Sequence, residues 1–259
     1  MTAFFDIGSF QKGEHQTFTP DKYTHWMSTF QYIDNPVYAF FDADKNAEDF
    51  RKIRTGPLKN KTKIVVLDRE TLWAFKLKPN ISDIFSNPDY PKYNPNTVNA
   101  DYSCAMHAKY EVVQKVAKEN TFNTKYIAWL DIGYFRDMNE TNNFHIHLPP
   151  KFAGSKVAYN QVFDAWHRTL EDIMHNNEIW VGGGFFIAEV SVMSKWVEDY
   201  MHYTEEFIKH KLINTDQQVI YSMIQPPVRK KFGKRRVAIQ PYRGSKPSKW
   251  LYLGHLCKQ

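Results

Sequence analysis

Cysteine is nearly absent: Cys104 and Cys257 are the only two in 259 residues, and they lie far apart in sequence. Such a pair builds no disulfide framework and offers no zinc-ligand spacing, so a reducing compartment is expected. No apolar run approaches the roughly 20 residues that a membrane-spanning helix needs. The opening Met1-Thr2-Ala3-Phe4-Phe5-Asp6 lacks the basic and apolar segments of a secretory signal, and a cytoplasmic location is expected. Three glycosylation-type triplets begin at Asn60, Asn80 and Asn139, but without a secretory route they carry no weight. G-x-G-x-x-G does not occur, so the dinucleotide fingerprint is missing. With no internal repeat and no clear linker, one sizeable α/β domain is the expected organisation.

Aromatic residues, by contrast, make up 16% of the chain, enough to line a cleft for sugars or bases, although filling a core is their commoner use. The formal charge of +6 and a pI near 9.0 favour anionic partners: a nucleotide, a nucleic acid or an anionic membrane surface.

The order of elements predicts a mostly parallel sheet, because short apolar strands alternate with helix-length segments. Strands are expected at 2–7, 37–41, 63–68, 125–130, 144–148, 178–181, 185–188 and 237–240. Helices are expected at 20–32, 49–53, 101–119, 162–175, 191–210 and 216–224, while the proline- and asparagine-rich stretch 79–99 reads as irregular. Pro20 stands where a helix can begin, and Thr215 where one can be capped.

The stretch from Lys125 to Leu130 is a buried strand by its apolar run, and it ends in Asp131-Ile132-Gly133-Tyr134. In open α/β sheets ligands bind where the carboxyl ends of strands meet their loops. There Asp131 can hold a divalent metal or a ribose hydroxyl, and Gly133 lets the chain approach the ligand. A strand-end aspartate that caps a turn is the plainer alternative. The first strand likewise runs through Phe5 and Asp6 into Gly8. Gly182, Gly183 and Gly184 interrupt another strand, a costly arrangement unless backbone must come close to something. His145 and His147 alternate onto one strand face, but no third metal ligand is evident nearby. Lys109 lies within a helix and Asp44 follows a strand; each is a phosphate-site or surface residue.

Thr2-Ala3-Phe4-Phe5-Asp6-Ile7-Gly8, Trp129-Leu130-Asp131-Ile132-Gly133-Tyr134-Phe135-Arg136, Gly183-Gly184-Phe185-Phe186 and Asp216-Gln217 occur in that order. Together they resemble the HtrL/YibB family, over roughly residues 2–224, and that family in turn resembles the GT-A glycosyltransferases. The resemblance implies one GT-A-like, Rossmann-like domain over 1–259, with a mostly parallel mixed sheet flanked by helices and the segment 226–259 closing on the site. The family pattern places Arg after the first glycine, where this chain has Ser9.

What the resemblance implies for chemistry is transfer of a sugar from a UDP- or GDP-sugar to a glycan or glycolipid hydroxyl. Phe5, Asp6, Gly8, Lys109, Asp131, Gly133, Gly183, Gly184 and Lys246 would contact the donor. Asp131 would anchor Mn²⁺ or Mg²⁺ at the diphosphate, with His255 as a second ligand, since the D-x-D motif of such enzymes is reduced here to Asp131-Ile132-Gly133. Such an ion stabilises the negative charge of the leaving group. Asp216 and Glu189 are the candidate bases for the acceptor hydroxyl. An acid in a first helical turn explains Asp216 equally well. The basic run 229–236 would close over the diphosphate or dock on anionic lipid at the membrane periphery. The rival reading is a non-catalytic module that binds nucleic acid or glycan through that run and exposed aromatics.

Overall fold

The five residues Val37–Phe41 are buried at every position, as a strand covered on both faces must be. In the computed structural model, which describes residues 1–138, 142–233 and 235–258, they form the middle of the first of three sheets. The triplet at Asn139 lies outside the described residues, as does Lys234 of the basic run.

In chain order the strands are β1 (Thr2–Phe4), β2 (Phe10–Lys12), β3 (Gln16–Phe18), β4 (Val37–Phe41), β5 (Thr62–Val66), β6 (Tyr126–Leu130), β7 (Lys156–Gln161), β8 (Val181–Glu189) and β9 (Ala238–Arg243). The α-helices are α1 (Pro20–Met27), α2 (Asp44–Ile53), α3 (Trp73–Lys76), α4 (Lys78–Ser86), α5 (Ala100–Glu119), α6 (Leu170–His175), α7 (Val190–Lys209), α8 (Asp216–Met223), α9 (Pro226–Phe232) and α10 (Tyr252–Leu256). None of the helices is long and apolar enough to cross a membrane, among the described residues.

The architecture is mixed α/β, but the single, mostly parallel sheet expected from the sequence is divided. Strands β1, β4 and β5 form a parallel sheet in the order β1-β4-β5; β2 and β3 form an antiparallel hairpin; and β6-β8-β7-β9 is a mixed sheet in which β8 runs antiparallel to both neighbours. The first and last of these meet at Met1. Its amino group donates to the Ala128 carbonyl at 2.6 Å, and its carbonyl accepts from Leu130 N–H at 2.9 Å, the bonding pattern of a parallel pair. One residue of contact joins the two edges without extending a ladder.

Several elements depart from the sequence expectation. Residues 78–86 are helical rather than irregular, with a proline at the tolerated start of the helix. Residues 144–148 make only isolated bridges, Ile33 with Phe144 and Ile146 with Lys258. The helix expected over 162–175 is confined to α6, opened by Thr169, whose hydroxyl accepts from Asp172 N–H at 3.0 Å. The three glycines do not break β8, which runs through them as one strand. The hairpin of β2 and β3, and the strand β7, were not predicted.

Helices α5 and α7 pack together on one face of the mixed sheet: Tyr110 stacks on Tyr200 at 3.4 Å between ring centres and on Phe186 at 5.5 Å. Below the parallel sheet, Arg54 at the end of α2 is itself buried. It donates to the carbonyls of Phe30, Ile33 and Asn35 and to the Thr62 hydroxyl. Burial lowers its pKa to about 10, so it stays charged at neutral pH. The Phe30 carbonyl also accepts from Ile33 N–H at 3.3 Å, so the loss of Arg54 falls mainly on the carbonyls of Ile33 and Asn35, and leaving them unsatisfied is costly. Arg54→Ala is therefore expected to lower the unfolding free energy by roughly 3 kcal/mol. Urea denaturation measures it, and a loss no greater than that of an ordinary surface substitution would contradict the assignment.

Candidate functional site

Helix α5 begins at Asn99, whose side chain accepts from Tyr102 N–H, and runs for five turns into the centre of the molecule. One of its faces grips the loop ahead of α8. The Ser103 hydroxyl donates to the Asn214 carbonyl at 2.7 Å, and His107 donates to the same oxygen through Nε2 at 3.2 Å. Because a carbonyl only accepts, the proton is on Nε2, and Nδ1 accepts from the Tyr200 hydroxyl at 2.6 Å. Burial lowers His107 to about 4, which keeps the ring neutral at physiological pH. Thr215 then opens α8, its N–H and hydroxyl both donating to Gln218 Oε1. This leaves Asp216 in the first helical turn, facing α5.

Opposite it stands Lys109, 3% exposed. Its ammonium lies 3.1 Å from Asp131 Oδ1 and 3.3 Å from Asp216 Oδ2, and it donates to the Gly183 carbonyl at 3.4 Å. Asp131 sits just past β6, 39% exposed at its side chain, with its Oδ1 also accepting from the Trp129 indole at 2.7 Å. Asp216 is 2% exposed. Burial raises its pKa above the ordinary 3.8, and the Lys109 ammonium opposes that rise without cancelling it. Lys109 itself is pushed down by burial, but the two carboxylates more than compensate and hold it above 10.5. A cation shared by two anions is thus fully charged at neutral pH, while the more deeply buried anion is strained.

Two of the three glycines of β8 are explained by this cluster. A Cβ on Gly183 would collide with the Asp216 carboxylate, and one on Gly184 would crowd Tyr134 and lie 3.3 Å from Asp131 Oδ2. Gly133 faces the Trp26 ring, which a Cβ would approach to 2.7 Å. β8 passes the cluster at a distance only a bare backbone allows.

Two cavities meet here. The first, open to solvent, lies between the carboxyl end of β1, the hairpin and α5. Its walls are aromatic, with Phe5, Phe18, Tyr23, Trp26 and Tyr102 among them, and Asp6 and Gly8 stand at its edge. The second is bounded by Asn94, Asn96, Asn177, Gly184, Asp216 and Trp250 among others. Lys12, Lys109, Arg136 and Asp131 line both. Three cations and one shared carboxylate therefore mark the junction.

The structure brings together Phe5, Asp6, Gly8, Lys109, Asp131, Gly133, Gly183, Gly184 and Asp216 of the residues expected from sequence. Asp6 also caps its own turn, accepting from Gly8 N–H at 3.0 Å, and Gly8 takes φ +78°, which favours glycine. Others do not join them. Glu189 is at the opposite end of the sheet, because the antiparallel register pairs it with Tyr126 at the start of β6; its carboxylate meets Lys125 at 3.4 Å. Lys246 is exposed and lines neither cavity. His255 on α10 packs edge-on against Phe135, 5.2 Å between ring centres, and also lines neither. Asp44 is the first residue of α2, an ordinary helix-start acid. His145 and His147 lie 4.7 Å apart in a separate cavity with Met1 and Asn35. No group of three or more His, Cys, Asp and Glu side chains is arranged to hold a metal, among the described residues.

The described part of the basic run lines neither cavity, and Arg236 is committed to Asp199 at 2.7 Å and Glu198 at 2.9 Å. Of the segment from 226 onward, Trp250 and Leu251 are what border the second cavity. Lys12 and Arg136 were not foreseen. Arg136 closes the segment Trp129-Leu130-Asp131-Ile132-Gly133-Tyr134-Phe135-Arg136, which is its signal in the sequence; Lys12 arrives through a hairpin with no marked turn sequence beyond Gly13.

The family model HtrL_YibB, described as a bacterial protein of unknown function, matches residues 1–228, and the chain belongs to that family. The chain is also 25% identical over 239 residues to Protein HtrL of Escherichia coli (strain K12), across 85% of this chain and 81% of that protein.

The strain on Asp216 gives a signed expectation. A carboxyl with a raised pKa binds its proton more tightly folded than unfolded, so its contribution is present below 3.8 and is lost as pH rises through the folded value. Asp216→Asn does not titrate. The stability of the variant relative to the parent should therefore improve between pH 4 and pH 7, as read by urea unfolding at both. A relative loss over that interval would mean the anion is net stabilised.

Proposed function

We propose that this member of the HtrL/YibB family is a sugar-nucleotide-dependent glycosyltransferase on a GT-A-like domain. It takes a UDP- or GDP-sugar in the aromatic cavity and a glycan or glycolipid hydroxyl in the polar one. The observation that carries the reading is the Asp131–Lys109–Asp216 cluster, with Lys109 and Asp216 buried and Asp131 half-exposed, at the junction of the two cavities. A transfer between two bound molecules needs two chambers that share one reacting point, with charge arranged for that point.

Topology supports the same assignment. From β1 the chain goes outward to β4 and β5, then returns to place β6 on the other side of Met1. Such reversals open a crevice at the carboxyl ends of the strands, where α/β folds bind nucleotides. Asp6 and Asp131 follow the two strands that flank it. A base fits among Tyr23, Trp26 and Tyr102, and the diphosphate extends toward Lys12, Lys109 and Arg136. Asp6, Asp131 and Asp216 match these three cations in number, so the attraction for a diphosphate is local to the cations and not a net excess of charge.

In the reaction the acceptor oxygen attacks the anomeric carbon while the bond from that carbon to the diphosphate breaks. The electron pair leaves with the nucleoside diphosphate, whose added charge meets the Lys109 ammonium and its cationic neighbours. The hydroxyl proton passes to Asp216, whose raised pKa makes it a better proton acceptor than an ordinary aspartate. This is direct displacement, with inversion at the sugar. A divalent ion fits only in part: Asp131 Oδ1 is taken by Trp129 and Lys109, leaving Oδ2 beside Gly184 as the protein oxygen for Mn²⁺ or Mg²⁺ carried on the diphosphate. Such an ion would add to the neutralisation of the leaving group. The exposed Lys230 and Lys231 of α9 suit peripheral contact with an anionic membrane that presents a glycolipid.

The two carboxylates should separate by function. Asp216→Asn is expected to keep the rise in melting temperature that UDP or GDP produces, yet to lower sugar transfer by about 10²–10⁴-fold. Asp131→Asn is expected to reduce the nucleotide-induced shift itself. Transfer at the parental rate by Asp216→Asn would remove Asp216 as the base.

A further inference from the structure

Residues 163–167 are all exposed, and two of them are large aromatics, the first of which, Phe163, stands against Trp250 of the polar cavity wall. Trp166 is 62% exposed and Phe163 44%. Single exposed aromatics need no explanation, but the backbone beneath these two is unusually well held. The Tyr221 hydroxyl of α8 accepts from Trp166 N–H at 2.8 Å and donates to the Trp166 carbonyl at 3.1 Å. Gln225 adds two more bonds, accepting from Arg168 N–H at 3.1 Å and donating to the Trp166 carbonyl at 3.2 Å. Arg168 is pinned in turn to Glu178 at 2.9 Å. Buried polar groups are thus spent on fixing a segment whose side chains point into water. That is preorganisation, and it lowers the ordering cost of binding.

The surface continues into the site. The Phe163 ring stands edge-on to Trp250, 6.2 Å between centres, and Gly182, where a Cβ would lie 3.7 Å from Trp250, is part of the same cavity wall. Polar groups crowd the aromatics: Lys249 Nζ sits over one face of the Phe163 ring, 3.7 Å from its centre, leaving the other face for a ligand, and Arg243 pairs with Asp164 at 2.5 Å. The helix that holds Trp166 is α8, the one that starts at Asp216.

We infer that Phe163 and Trp166 form a stacking platform for the acceptor's saccharide chain, leading it past Trp250 to Asp216. The proposal rests on the transferase reading of the two cavities. Pyranose rings present an apolar face of C–H groups and an edge of hydroxyls, matching flat aromatics bordered by short-range donors and acceptors. A lipid surface would need neither these polar groups nor a passage inward to Asp216.

The test uses the full chain and oligosaccharides of increasing length, from di- to hexasaccharides of the malto, cello and chito series. Tryptophan fluorescence reports binding, with UDP and GDP thermal shifts measured in parallel. At least one series should bind with affinity that rises by about tenfold or more with length. Trp166→Ala and Phe163→Ala should each weaken it by about fivefold or more, and Trp166→Phe should retain most of it. The nucleotide shift should be unchanged in all three variants, as should the melting temperature without ligand. Saccharide binding that is absent, or that survives Phe163→Ala and Trp166→Ala together, overturns the proposal. So does Trp166-dependent binding to phosphatidylglycerol vesicles without any to saccharides. A flat nucleotide screen beside Trp166-dependent saccharide binding would instead count against the transferase reading while upholding the platform.

Discussion

An ammonium group is not taken out of water without anions in contact, and Lys109 is taken out almost completely. That constraint ties together three parts of the chain far apart in sequence: α5, the loop after β6, and the start of α8. Asp131 and Asp216 meet the charge directly, Gly183 supplies a carbonyl, and the missing side chain at Gly183 leaves room for Asp216. His107 and Ser103, from the same helix as Lys109, hold the Asn214 carbonyl and so fix where α8 begins. A shift of any of these elements would leave an uncompensated charge in the interior.

As a device for stability the cluster is poor. Desolvating Lys109 and Asp216 costs about as much as their attraction returns, and apolar residues of similar volume often do better. Asp216 carries the cost visibly in its raised pKa. Perturbed titration in a cleft, with a specific charged partner, is more characteristic of chemistry than of architecture. The two cavities beside it have one wall of aromatics, one of amides and carboxylate, and a cationic junction between them.

Much of this was legible in the residues themselves. Asp131 was singled out because an apolar run ended on it, and the three glycines because glycine is expensive within a strand. Both follow from local physics: Asp131 does stand at the end of β6 and Gly183 and Gly184 do lie close to the carboxylates, although β8 passes through its glycines rather than breaking. Lys109 was harder to weigh: helical lysines are usually solvated, and burial of this one depends on partners 22 and 107 residues away. Glu189 and His255 illustrate the opposite error. A strand-end acid is useful only at the correct end, and the antiparallel direction of β8, which no periodicity reveals, carries Glu189 to the far one. His255 was read from its place near the end of the chain, while α10 turns its ring onto Phe135. The basic run attracted attention through charge alone, and Asp199 and Glu198 account for Arg236.

The most direct measurement is a crystal structure of the full chain with UDP or GDP and Mn²⁺. The account requires the base among Tyr23, Trp26 and Tyr102, and the diphosphate within hydrogen-bonding reach of Lys109 or Arg136, next to Asp131. A nucleotide bound anywhere else, whether at the His145–His147 cavity or along the basic run of α9, would contradict it.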